Sequence, residues 1–508
     1  MNGDRERMLR DIQVAERRLH DRMANKLEVN HELDRTLVSF QANKSENGYR
    51  WYKYKEAFSA SLVRYAFNKI GLTSGRILDP FAGSGTALFT ASDLGIHSVG
   101  IELLPNSAQI IATRKQIRAS DPYQLARAIR QFKDRQVWRT AGKHKAFSHL
   151  RITSGAFPGQ SEIELSRYLY EVDALHELRP ILIFAALCIL ESISYTRQDG
   201  QYLRWDDRSG RRAGKRPFSK GRILGFTEAI CAKLEQIASD IYPVGALFVE
   251  DLPTTERGAV ELLVGSCLDI LPVLKQDSFD GLITSPPYCN RYDYTRTYAL
   301  ELAMLGVGED RIRSLRQTML SCTVENREKR DLSQRVGANL LREAFAAFES
   351  QELLGLILRY LDWCREERSI NNTGIPRMVR NYFRELAIVI FECARVLKPG
   401  APFIMVNDNV RYQGVQVPVD LILADLAQQA GFDIERIWVL PKGKGNSSQQ
   451  MGAHGRETIR KCVYVWQLKD QRAKTLNRPL DAAQSSLPQT TTDRIEAQIG
   501  FQLPLPVR

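Results

Sequence analysis

Two short stretches of this chain combine residue types that could do chemistry. The first, Asp79-Pro80-Phe81-Ala82-Gly83-Ser84-Gly85-Thr86, follows the apolar run that begins at Arg76. Glycines at a strand-to-helix turn let a ligand approach the backbone and the helix N-terminus. Glu102 closes the next apolar run, SVGIEL, and is placed to accept hydrogen bonds from ribose hydroxyls. A dinucleotide fingerprint asks for a third glycine where this chain has Leu88, which disfavours a nicotinamide cofactor. The second stretch, Thr284-Ser285-Pro286-Pro287-Tyr288, ends another apolar run. Two prolines cannot continue a hydrogen-bonded ladder, so the chain leaves the sheet there. Tyr288 then faces the crevice at the strand ends, where its ring can stack on a planar base. An exocyclic amine conjugated to a base is a poor nucleophile. A site that activates it must accept its protons and turn the nitrogen lone pair toward an electrophilic methyl. The Ser285 hydroxyl and the Pro286 carbonyl are suitable acceptors.

The elements that must position these stretches alternate strand and helix. RILDPF, the glycine turn, ALFTASDLG and SVGIEL read as strand, loop, helix and strand. The alternation lapses after about residue 120. There follow a buried-looking helix, LRPILIFAALCILESIS, and a polar segment, Arg197 to Arg222, with nine Lys/Arg against three Asp, a net of +6. It resumes at AVELLVGS and FDGLITSPP, lapses into helix over 306–375, and ends with APFIMVND, DIERIWVL and KCVYVWQL. Seven strands are expected, the last two joined without a helix. The expected organisation is a helical segment over 1–45, a cofactor half over 46–115, a helical and basic insertion over 116–255, a catalytic half over 256–305, a second helical insertion over 306–375, the remaining sheet over 376–468, and a flexible tail over 469–508. The first segment has too few apolar positions for its own core and is expected to pack on something else.

Composition bounds the class. A 44% hydrophobic and 26% charged chain of 508 residues is a folded protein rather than a disordered or fibrous one. The excess of 71 Lys/Arg over 59 Asp/Glu, a net charge of +12, favours a polyanionic partner. The longest apolar stretch, Ile181 to Leu190, falls well short of the roughly 20 residues that span a bilayer, so no membrane association is expected. The N-terminus mixes acids and bases without an apolar core, so a cytoplasmic setting is the expectation. The eight cysteines are scattered with no CxxC pair, and no metal site is expected.

Together, DPFAGSGT and SPPY in one α/β chain resemble the S-adenosylmethionine-dependent amino-methyltransferases that modify DNA. The resemblance covers residues 50–110 and 259–468. It implies an α/β, Rossmann-like seven-stranded methyltransferase sheet, here with helical insertions. It assigns Ser285, Pro286, Pro287 and Tyr288 to catalysis, and Asp79, Phe81, Gly83, Gly85, Thr86 and Glu102 to the cofactor. YKEAFSASLV (54–63) looks like the family's methionine-end motif, with Phe58 and Ser59 as the contacts. Gly265 to Asp269 looks like the segment that reaches the adenine, with Ser266 in place of the commoner Asp and Asp269 as a further candidate. In the family, Ser at the head of the tetrapeptide goes mostly with cytosine N4, and Asp or Asn mostly with adenine N6, so Ser285 tilts the expectation to N4. Cytosine C5 chemistry fits less well, because it needs a nucleophilic cysteine and the chain has no Pro-Cys dipeptide. An adenine-N6 DNA methyltransferase, an RNA amino-methyltransferase and a cofactor-binding but inactive DNA-binding protein are the alternatives.

A duplex base reaches a crevice only when flipped out, and phosphate contacts must help offset the unstacking. Arg197, Arg204, Trp205, Arg211 and Arg212, in a segment that interleaves aromatics with cations, are candidate contacts to double-stranded DNA. Arg291 and Arg296, just beyond the catalytic loop, are two more, and the glycine-rich loop 443–456 with His454 is another candidate region. Target recognition is expected in the basic insertion, with 310–375 as the competing location. A restriction nuclease or other defence component is a conceivable partner.

Overall fold

The computed structural model describes residues 2–199, 202–211, 217–243, 256–441 and 459–470. At its centre is one eight-stranded sheet: β1 (Leu27–Val29), β2 (Arg76–Asp79), β3 (His97–Glu102), β4 (Val260–Val264), β5 (Gly281–Thr284), β6 (Pro402–Asp408), β7 (Phe432–Val439) and β8 (Lys461–Leu468). Across the sheet the order is β1-β7-β8-β6-β5-β2-β3-β4. β8 runs antiparallel to both β6 and β7, while the other pairings are parallel. The fold is a Rossmann-like methyltransferase fold. It differs from the expected seven strands by one: the N-terminal segment, read as helix only, adds the short β1 to the sheet edge beside β7.

Strand order reverses at β2, which has β3 on one side and β5 on the other. Helical connections leave these neighbours in opposite directions, so a crevice opens at the carboxyl ends of β2 and β5. Both sequence motifs begin there, at Asp79 and Thr284.

Alternation along the strands divides the core between two faces. Leu78, Leu282, Phe403, Met405, Tyr464 and Trp466 point to a face covered by the helices Ile375–Val396 and Val419–Gln429. Ile77, Ile283, Ile404, Val406, Val463 and Val465 point to the other, where they meet the helix Ala60–Ile70. The 306–375 insertion extends the first core: its helix Glu352–Glu366 packs on the N-terminal helix Asn2–Met23, and its helix Ala338–Ser350 on Ile375–Val396. The other insertion builds a second core around Trp138, Tyr168, Phe184 and Phe226, which Tyr52, Leu104, Tyr298 and Leu315 join from outside it. Its central helix, Arg179–Ile193, is buried along most of its length, and no helix among the described residues is long and apolar enough to cross a membrane. The basic segment, where no strand was expected, forms the hairpin Thr196–Asp199 and Tyr202–Trp205.

Leu88 explains the missing third glycine. Glycine at that place lets a helix lie close on the strand; here the close approach comes from the strand side. A Cβ on Gly100 of β3 would lie 2.5 Å from Leu88 Cδ1 and 2.9 Å from Ala82 Cβ. Gly100→Ala should therefore destabilise the chain by about 1–3 kcal/mol through overpacking. In urea unfolding, Gly100→Ala combined with Leu88→Ala should cost less than the sum of the two single changes; strict additivity would refute the contact.

Candidate active site

The two motifs are joined by a buried hydrogen bond. Thr284 Oγ1, at the end of β5, donates to Asp79 Oδ1, at the end of β2, at 2.6 Å. The Phe81 amide donates to the same carboxylate oxygen at 3.1 Å, which starts the glycine turn. Gly83 and Gly85 both take positive φ, at 55° and 77°. Side chains would also crowd them: a Cβ on Gly83 would lie 3.1 Å from the Tyr54 ring, and one on Gly85 would lie 2.9 Å from Ile111 and Phe89. Glu102 ties the turn to β3, with one carboxylate oxygen accepting from the Gly83 amide and the other from the Leu104 amide, each at 2.7 Å. Burial pushes Asp79 up to about 7, against the hydrogen bonds from Thr284 and Phe81. It pushes Glu102 up to about 7 as well, against the Leu104 and Gly83 amides.

A cleft of about 1650 Å³ opens over these strand ends. Asp79, Phe81, Gly83, Thr86 and Glu102 line it, as do Phe58 and the whole of Ser285-Pro286-Pro287-Tyr288. Gly85 shapes the turn from behind, as the residue before the helix Thr86–Asp93. Ser285 Oγ lies 3.1 Å from the Val406 carbonyl and 3.4 Å from the Tyr288 hydroxyl. A carbonyl only accepts, so the serine proton goes to Val406 and the Ser285 lone pairs are left as acceptors. Burial, reinforced by nearby Asp408, raises the Tyr288 phenol and keeps it neutral. Cys289, the neighbour of Tyr288, is fully buried with its thiol raised well above the usual range, as befits packing rather than nucleophilic attack.

Two expected cofactor contacts lie elsewhere. Ser59 is the N-cap of the helix Ala60–Ile70: its hydroxyl accepts from the Leu62 amide and donates to the Leu37 carbonyl, and it does not line the cleft. Asp269 turns away to pair with Arg335 at 2.8 Å. Gly265, Ser266 and Cys267 line the cleft in that region instead.

The expected DNA contacts also divide. Arg291 lines the cleft. Arg296 does not; it is paired with Asp293 and Glu325. In the basic hairpin Arg197 is exposed, but Arg204 lies over Phe218 at 4.0 Å, and Trp205 is buried beneath Arg211 at 4.2 Å. Arg211 also donates to the carbonyls of Arg151 and Ile152, and Lys220 to those of Glu191, Ser194 and Thr196. Much of this positive charge therefore braces the insertion from within. Arg212, and the loop 443–456 with His454, lie outside the described residues.

The sequence reading missed three contributors. Glu56 lines the cleft, with one carboxylate oxygen accepting from Tyr292 and the other from Tyr298, and Tyr298 stacks on Tyr54 at 5.2 Å. Asp408, at the end of β6, lines the cleft beside Lys461, its partner at 2.9 Å. His31, Asp34 and Arg35 bring the N-terminal segment to the cleft wall. A signal for the first was present in the aromatic runs YRWYKY and RYDYTRTY, which are too dense for solvent-exposed loops.

No family model matches the chain. Curated relatives do. A protein named Type II methyltransferase M.AvaI, from a Nostoc species, is 50% identical over 474 residues, covering 92% of this chain and 96% of the relative. Another, named Type II methyltransferase M.BsoBI, from Geobacillus stearothermophilus, is 40% identical over 483 residues, covering 90% and 92%. With the doubly wound fold and the cleft at its switch point, this likeness over nearly the whole length shows that the chain belongs to the Type II DNA methyltransferase family.

The two raised carboxyls dictate a pH dependence of stability. In the folded chain Asp79 and Glu102 keep their protons up to about 7, whereas the unfolded chain loses them near the ordinary carboxylate values. Folding therefore takes up protons between about pH 4 and 7, and stability falls as pH rises through that window, by at most about 1.4 kcal/mol per pH unit for each group. Asp79→Asn keeps the acceptor for Thr284 and Phe81 but removes one titration, so urea unfolding at pH 5 and pH 7 should show a shallower loss than in the parent. An equal loss in both would mean that Asp79 is ionised throughout.

Proposed function

We propose that the protein transfers a methyl group from S-adenosylmethionine to the N4 amine of cytosine at a specific site in duplex DNA, with the target nucleotide flipped into the cleft. The observation that carries this reading is the Ser285 hydroxyl, whose proton is committed to Val406 and whose lone pairs lie in the cleft beside Tyr288. An amine needs an acceptor there. A hydroxyl supplies one without the negative charge that a carboxylate would bring to the site.

The cleft residues suit the cofactor. Glu102 has spent one lone pair of each oxygen on the amides of Gly83 and Leu104, which leaves the others for ribose hydroxyls. Phe58, Phe81 and the glycine turn supply a wall that admits close approach, and Gly265 and Ser266 line the region proposed for the adenine. When bound, S-adenosylmethionine supplies the electrophilic methyl on its sulfonium. The chain's own part is to hold and polarise the amine. Tyr288 carries the base on its ring face, while Ser285 and the Pro286 carbonyl accept the two amine protons. The nitrogen lone pair is thereby turned out of conjugation toward the methyl. Ser285 and the Pro286 carbonyl would hold the two amine protons until the methylated nitrogen sheds one of them to solvent. No covalent enzyme intermediate is required.

For double-stranded DNA, exposed Arg197 and cleft-lining Arg291 are the proposed contacts from the expected set; Arg204, Arg211 and Trp205 act chiefly within the insertion. The hairpin that bears Arg197 is tied to the cleft wall: Gln198 donates to Glu301, and its carbonyl accepts from Lys55. We place target recognition in this insertion, because the helices Ala338–Ser350 and Glu352–Glu366 of the 306–375 segment extend the core under the sheet. A restriction endonuclease of matching specificity is the partner this reading calls for.

Three measurements test the proposal. Incubation of unmodified duplex DNA with the protein and S-adenosylmethionine, followed by nucleoside mass spectrometry, should yield N4-methylcytosine; N6-methyladenine would transfer the reading to adenine, and a product found in RNA alone would overturn it. Tyr288→Ala should lower the transfer rate at least about a hundredfold, since base stacking contributes about 1–3 kcal/mol and orientation more, with cofactor affinity near that of the parent. Glu102→Gln should weaken S-adenosylmethionine binding about tenfold in calorimetry. Because the ribose hydroxyls favour the carboxylate, the parent should bind more tightly at pH 8 than at pH 6, and Glu102→Gln should lose that difference; a retained difference would assign the titration to another group.

A further inference from the structure

We infer that Arg291 grips a phosphate of the DNA strand that carries the target base, close to the nucleotide stacked on Tyr288. The inference rests on the proposed DNA reading and adds to it a residue with a defined ligand.

Arg291 occupies the turn just after the catalytic tetrapeptide and lines the cleft. Its backbone φ of +67° lies in the strained left-handed region that an arginine rarely adopts. The surroundings impose this conformation. The Asn290 amide donates back to the Tyr288 carbonyl at 2.8 Å, and the Asn290 side chain accepts from the Tyr292 amide at 3.2 Å. From outside, the Tyr412 hydroxyl donates to the Cys289 carbonyl at 2.6 Å and pins the turn to the hairpin Val410–Tyr412 and Val415–Val417.

The guanidinium held in this way has no ion pair among the described residues. Arg291 Nε is shielded from solvent and has no hydrogen-bond partner among the described residues. The nearby carboxylates are engaged: Asp293 pairs with Arg316 and Arg296, Glu56 takes the hydroxyls of Tyr292 and Tyr298, and Asp408 pairs with Lys461. An arginine that lines an open cleft from a strained turn, with its buried Nε unsatisfied, calls for an anion from outside. Arg411, on the pinned hairpin, lines the same cleft, its guanidinium steadied by an Nε bond to the Gly414 carbonyl at 3.1 Å. The anion could be a phosphodiester or the carboxylate of the cofactor. The position decides for the phosphodiester: the cofactor segments end β2, β3 and β4, whereas Arg291 lies past Tyr288 with Arg411 from beyond β6.

The test uses the full chain and unmodified linear plasmid DNA, with binding measured across a salt series and S-adenosylmethionine affinity measured in parallel. Arg291→Gly suits the left-handed turn, so it should fold with unchanged or raised Tm. It should bind the plasmid about tenfold more weakly, with the log–log salt slope reduced by about one, and bind S-adenosylmethionine as the parent does. Arg291→Lys should keep the slope while losing part of the affinity, because a lysine retains the charge without the planar fork. Parent-like DNA affinity and slope in Arg291→Gly would overturn the inference, as would a selective loss of S-adenosylmethionine affinity, which would assign the arginine to the cofactor carboxylate. A parent protein that binds the plasmid but transfers no methyl would defeat the proposed function and leave the phosphate contact measurable; a parent that binds no DNA would defeat both.

Discussion

The hydroxyl of Thr284 donates to the carboxylate of Asp79 across 2.6 Å of fully buried space, and the geometry of the site depends on that bond. The two residues end adjacent parallel strands whose onward connections part in opposite directions. Without a link at the point of parting, the glycine turn and the Ser-Pro-Pro-Tyr turn would be set independently by their own loops. With it, a displacement of one strand end is carried to the other. Methyl transfer requires that donor and acceptor atoms be held to within a few tenths of an ångström.

Burial gives this arrangement its cost and its use. Asp79 and Glu102 sit where ionisation is penalised, and each is stabilised chiefly by backbone amides and a hydroxyl rather than by a cation. A lysine or arginine in their place would satisfy the charge but fill the cleft. Amide donors fix the carboxylates in direction while leaving lone pairs for a ligand. The same economy governs the Glu56 cluster, in which tyrosine hydroxyls rather than cations hold a buried acid and join the segment before the glycine loop to the helix after the Ser-Pro-Pro-Tyr turn.

Positive charge follows a different logic. The chain carries a net +12, yet in the basic segment Arg204 and Arg211 lie over aromatic rings and Lys220 donates to carbonyls. Counting charges along the chain could not separate cations that brace a subdomain from those that face a polyanion, because the distinction lies in which neighbours the fold brings within reach. Ser59 and Asp269 make the same point for the cofactor contacts. Each stands inside a motif of the right type, but a helix cap claims the first and Arg335 the second. The eighth strand escaped notice because three residues of edge strand carry no periodic signal.

Local chemistry determined much of this protein before any folding is considered. Glycines that must take positive φ, prolines that must end a strand, and the alternating apolar runs between them specify a doubly wound sheet with turns at Asp79 and Ser285 that line the cleft. These are properties of a residue and its immediate neighbours, so the order of residues reveals them. Tertiary structure alone decided that Ser285 gives its proton to Val406, that Leu88 shelters over Gly100, and that Arg291 is pinned by Tyr412 from a hairpin more than a hundred residues away. Each of these depends on a distance between groups carried by different elements, and that distance exists only once the sheet has closed around its core.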